Sequence, residues 1–114
     1  MWAEKNRFPL KGIVTVLNTP FTKEDTIDHK ALKNNVEEAL KAGVAGILVP
    51  AMAAEVYKLS HSERLEMLST VLETVGDRIP VIGGAGETDL NKSKELLKAY
   101  LQLGCKNVLL QIPF

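Results

Sequence analysis

The chain has 114 residues, of which 46% are hydrophobic and 25% charged, and its 14 Lys and Arg balance its 14 Asp and Glu. This is the composition of one ordinary globular domain, which argues against extensive disorder. We expect no nucleic-acid partner, because such proteins carry a basic excess or a basic stripe. We expect no membrane span, because no apolar run reaches about 18 residues. The N-terminus lacks an apolar secretory segment, and the single cysteine is compatible with a cytoplasmic location.

Four apolar runs rich in β-branched residues predict strands. None of them alternates strictly between apolar and polar residues, and continuous apolar runs are typical of strands that are buried on both faces of a parallel sheet. The predicted strands are Gly12–Leu17, Val44–Val49, Ile79–Ile82 and Asn107–Ile112.

Three amphipathic stretches between these runs predict helices over about residues 28–42, 61–75 and 90–103. Asp28 is the expected N-cap of the first helix. Ser60 and Glu63 form a capping box before the second helix, and a glycine ends each helix. The expected apolar positions are Leu32, Val36, Ala39 and Leu40 in the first helix, Leu65, Leu68, Leu72 and Val75 in the second, and Leu96, Leu97, Tyr100, Leu101 and Leu103 in the third.

The order β-α-β-α-β-α-β predicts an α/β fold with four parallel strands. Two architectures share this order: an open doubly wound sheet and part of a TIM (β/α)₈ barrel. A complete barrel takes about 250 residues, so four strands could form only part of one and could not close it. We assign residues 1–11 to an N-terminal extension and residues 12–114 to the partial barrel.

In both architectures ligands bind beyond the C-terminal ends of the strands. Four segments are expected there, namely residues 18–21, 50–55, 83–87 and 111–114. The third reads Gly-Gly-Ala-Gly-Glu, which matches neither a P-loop nor a dinucleotide-binding fingerprint. We interpret it as a tight strand-to-loop turn in which the backbone packs closely.

Few side chains suggest chemistry by themselves. Glu55 follows the second strand and is a candidate base, although a structural role is favoured, as a cap for loop amides or a partner for Arg64. Tyr57 either reaches a cavity or packs on the loop. His29 and His61 begin helices without a second ligand at metal-binding spacing. We expect Cys105 to be a small buried hydrophobe rather than a nucleophile.

The loops together resemble one family. Thr19-Pro20-Phe21 is similar to a Thr-Pro-Phe signature after the first strand, and Ile27-Asp28 to the helix start that follows it. Glu55 and Leu59-Ser60-x-x-Glu63-Arg64 resemble the end of a Gly-Thr-Thr-Gly-Glu loop and the next helix start. Further likenesses are Gly84-x-Gly86 and Pro113-Phe114, the latter to Pro-Tyr-Tyr after the fourth strand. In this order, the motifs resemble the dihydrodipicolinate synthase and N-acetylneuraminate lyase family, in its N-terminal half.

The resemblance implies a class I lyase or aldolase that acts on pyruvate or a related 2-keto acid through a lysine Schiff base. It implies no metal and no organic cofactor. In the family the lysine is on the sixth strand and a tyrosine is on the fifth, so both would lie beyond Phe114. No catalytic residue is then expected in this chain, which would be inactive alone.

Two positions depart from the family pattern. Met52 and Ala53 stand where the family has a hydroxyl pair that helps bind the substrate carboxylate and relays protons. Backbone amides at Met52 and Ala53 could still hold a carboxylate, so we assign both to substrate binding. Loss of the hydroxyls and Phe114 in place of a tyrosine favour a divergent member over a true synthase or sialic-acid lyase.

A second hypothesis is a non-catalytic half barrel that associates with itself or with a complementary half. Open edge strands and uncovered apolar faces favour association. The expected partners are therefore a small 2-keto acid and, in a homo-oligomer, further copies of the chain.

Overall fold

The computed structural model of the chain describes residues 11–50, 59–87 and 89–110. Within these residues the order of elements is the one expected from the sequence. The strands are β1 (Val14–Val16), β2 (Gly46–Val49), β3 (Val81–Gly84) and β4 (Asn107–Leu109). The helices are α1 (His29–Lys41), α2 (His61–Val75) and α3 (Leu90–Gln102).

The strands form one parallel sheet in the order β1-β2-β3-β4. A doubly wound sheet reverses its strand order at a switch point, and this sheet does not. Each crossover instead advances the sheet by one strand in the same direction, as in a (β/α)₈ barrel. The half-barrel prediction is therefore confirmed, and the open doubly wound alternative is excluded.

Local sequence signals at the helix starts are confirmed. The Asp28 side chain accepts a hydrogen bond from the Ala31 amide and caps α1. Ser60 and Glu63 form both hydrogen bonds of the capping box. Each bond satisfies an amide at a helix start that has no partner within the helix, so these residues fix where the helices begin.

The sheet has one well-covered face. Ile47 and Val49 of β2 are fully buried and lie in the same core as Leu32 and Val36 of α1 and Leu68 of α2. Side chains alternate between the two faces of a strand, so the residues between these point to the opposite face. That inner face carries Val14, Val16, Leu48, Ile82 and Leu109, all of them only partly buried or exposed.

The third strand begins and ends later than expected. We predicted Ile79–Ile82 and placed Gly83 and Gly84 in the following loop, but both glycines belong to β3. A Cβ on Gly83 would lie 2.8 Å from the ring of Tyr100. α3 approaches the backbone of β3 too closely for a side chain at position 83, which explains why a glycine stands there. The predicted close packing of the backbone is therefore confirmed, but Gly83 and Gly84 do not form the predicted turn.

Two helices bury a different set of residues from the one expected. In α2 the buried apolar residues are Met67, Leu68, Val71 and Val75, with Leu65 and Leu72 only partly buried. The buried face of α2 is broad because this helix packs against both α1 and α3 as well as the sheet. In α3, Leu96 and Tyr100 are buried but Leu101 and Leu103 are exposed, since among the described elements α3 has a neighbouring helix on one side only.

No helix in the part of the chain that the structure describes is both long enough and apolar enough to cross a bilayer.

Tyr100 links α3 to the sheet through a hydrogen bond. Its hydroxyl donates a 2.9 Å hydrogen bond to the carbonyl oxygen of Gly84, and the residue is fully buried. Burial raises the pKa of the Tyr100 phenol from 10.0 to about 12, against an opposing effect of the positive charge of Arg64. The phenol therefore stays neutral in the folded chain well into the alkaline range.

We expect Tyr100→Phe to lower the free energy of unfolding at pH 7 by about 1–3 kcal/mol, because the buried Gly84 carbonyl loses its donor. Because the folded pKa is raised, the wild-type contribution of this group is complete below pH 10 and declines as the pH rises towards about 12. Urea unfolding between pH 8 and pH 11 measures both effects. An equally steep alkaline loss in Tyr100→Phe would contradict the assignment to this phenol.

Candidate functional site at the C-terminal ends of the strands

Parallel pairing brings the C-terminal ends of all four strands to one edge of the sheet. The loops after β1 and β3 are described there, at residues 18–21 and 85–87. Of the other two predicted segments, residues 51–55, which include Met52, Ala53 and Glu55, and residues 111–114 lie outside the described residues, as does Tyr57. The candidate site is therefore built here from the first and third loops and from the start of α2.

The loop after β1 is held by its own hydrogen bonds and by α2. The Pro20 carbonyl accepts from the Asp28 amide at 2.8 Å, which joins the start of the loop to the start of α1. Thr19 is buried, and its hydroxyl donates to the Met67 sulfur at 3.5 Å. Phe21 is partly exposed. The Thr-Pro-Phe segment thus has a buried polar residue and an exposed aromatic one at the mouth of the sheet.

A cluster of charged residues joins the loop after β3 to the first turn of α2. Nη1 of Arg64 donates to Oε2 of Glu87 at 3.0 Å, and Nε2 of His61 lies 3.4 Å from the same oxygen. The side chains of Arg64 and Glu87 are only 3% and 13% exposed, whereas that of His61 is 40% exposed. Buried charges are tolerated when they are paired, and the contact between Arg64 and Glu87 is such a pair.

The contact between Arg64 and Glu87 also has a structural consequence. A charge-assisted hydrogen bond is stronger than a neutral one. This bond therefore holds the Gly84-Ala85-Gly86 segment, which directly precedes Glu87, against α2. The half-exposed His61 is the member of the cluster that is open to solvent.

The sequence alone did not pair Arg64 with Glu87. We considered Glu55 as the partner of Arg64, and Glu55 lies outside the described residues. Helical spacing was the sequence signal that could have shown that Arg64 is buried. Arg64 precedes Leu68, Val71 and Val75 by four, seven and eleven residues, which places it on the buried face of α2.

Cys105 lies in the hydrophobic core and not in the candidate site. It is buried, and burial raises the pKa of its thiol. Its sulfur lies 3.2 Å from the Asn107 carbonyl and 3.7 Å from that of Val81. The expected role of a small buried hydrophobe is confirmed, since a nucleophilic cysteine needs an accessible thiolate.

His29 lies away from the mouth, in a shallow groove between α1 and α2. Its Nδ1 is 2.8 Å from the Thr70 hydroxyl, and its Nε2 is 3.9 Å from Glu66. Across residues 11–50, 59–87 and 89–110, no group of three or more His, Cys, Asp or Glu residues is arranged to hold a metal ion.

Comparison with known families decides the relationship that the motifs suggested. The profile of the Dihydrodipicolinate synthetase family matches residues 9–114. The chain belongs to this family. The match covers nearly the whole sequence, so the assignment no longer depends on separate motifs.

Relatives and solved structures of the family agree. A 4-hydroxy-tetrahydrodipicolinate synthase of Bartonella quintana is 35% identical over 92% of this chain and 36% of its own length. The corresponding enzyme of Natronomonas pharaonis is 32% identical over 90% of this chain and 35% of its own. The chain thus spans about a third of the length of the curated relatives it matches.

Two solved structures show the same arrangement. The 4-hydroxy-tetrahydrodipicolinate synthase of Methylacidiphilum fumariolicum SolV superposes with a TM-score of 0.88 at 28% identity, over 93% of this chain and 35% of that one. YagE, a family member from E. coli K12 whose structure is a complex with pyruvate, has a TM-score of 0.86 at 26% identity, over 90% and 35%.

We expect Glu87→Gln to lower the free energy of unfolding by more than about 1 kcal/mol, because it removes a carboxylate from a buried charge pair. Glu37→Gln is the matched control. It removes the same charge from a pair with Arg78 that also has a 3.0 Å contact but lies on the surface, where ion pairs contribute little. Urea unfolding of both variants tests the comparison; equal losses would contradict a special role for the buried pair.

Proposed function

We propose that this chain contributes the N-terminal strands of a Schiff-base-forming lyase or aldolase that acts on pyruvate or a related 2-keto acid. The observation that carries the proposal is the family match over residues 9–114 on a four-stranded parallel half barrel. Such barrels place their chemistry in the loops after the strands. The complex of the relative YagE with pyruvate supports the class of substrate.

In this proposal the chain binds substrate and does not supply the reactive amine. A lysine that forms a Schiff base is activated by a lowered pKa, commonly through desolvation. The lysines within the described residues are all exposed and so lack that environment. The Schiff-base lysine and its tyrosine partner would then lie beyond Phe114, with the lysine as electron sink for cleavage or formation of the adjacent carbon–carbon bond.

The amides of Met52 and Ala53 are proposed to hold the substrate carboxylate. Consecutive backbone N–H groups in a turn form an anion site without any side-chain hydroxyl. We retain residues 1–11 as an extension, residues 12–114 as the partial barrel, a cytoplasmic location and a homo-oligomer as parts of the same proposal.

The first test locates the reactive lysine. The chain is incubated with pyruvate and borohydride, alone and together with the segment of the Bartonella quintana relative that follows its matched region. We expect no covalent adduct on this chain in either mixture and an adduct on the relative's segment, read by mass spectrometry. An adduct on this chain would contradict the assignment of the lysine.

The second test concerns the missing hydroxyls. Met52→Thr combined with Ala53→Thr restores the family's hydroxyl pair in the same complemented mixture. We expect pyruvate to bind at least about tenfold more tightly, because a hydrogen bond to a charged group contributes about 1.5–3 kcal/mol. Met52→Val with Ala53→Val is the control, since valine has the shape of threonine without the hydroxyl. A gain as large in the valine variant would show that shape, not hydrogen bonding, is responsible.

A second candidate function is a non-catalytic half barrel that associates with itself or with a complementary half. Trapping distinguishes the two candidates, because a non-catalytic half barrel yields no adduct on the relative's segment in the complemented mixture.

A further inference from the structure

We draw no further inference here: the strongest candidate, the open groove between α1 and α2 that is lined by His29, Lys33, Glu66 and Glu73, carries side chains of both charges, and nothing in the described residues shows which ligand or partner would occupy it.

Discussion

Four strands that run in the same direction need a helix to return the chain between each pair. That requirement accounts for most of the architecture. It places α1, α2 and α3 along one face of the sheet, and it collects the C-terminal ends of the strands at one edge. The loops that could bind a ligand therefore lie together although they are about thirty residues apart in sequence. The same arrangement leaves the other face of the sheet without helices.

The parts of this fold that sequence predicted are those determined by local interactions. Asp28 and the pair Ser60–Glu63 act over three residues, so their capping roles are legible without knowledge of the fold. Residues that depend on distant neighbours were predicted less well. Gly83 belongs to a strand because of the Tyr100 ring, seventeen positions along the chain. Arg64 is buried because a carboxylate at Glu87 meets it from the next loop.

The candidate site shows the same division. Its position followed from the order of strands, and its family followed from motifs at the ends of those strands. The contacts that hold the site together did not follow from the sequence. Thr19 reads as part of a Thr-Pro-Phe signature, but its contact with Met67 depends on how α2 lies across the first loop. Arg64 and Glu87 similarly fix the third loop to α2. The described wall of the site is thus built from contacts between elements, with α2 as the common partner.

Cys105 gives this core an intrinsic reporter. It is the single cysteine of the chain, it lies within 3.1 Å of where a Gly83 Cβ would stand, and burial both hides its thiol and raises its pKa. Only the thiolate reacts with disulfides and alkylating reagents. Its rate of modification therefore measures how often β3, β4 and the end of α3 separate, an opening that is otherwise visible only by hydrogen exchange. No label has to be introduced to follow it.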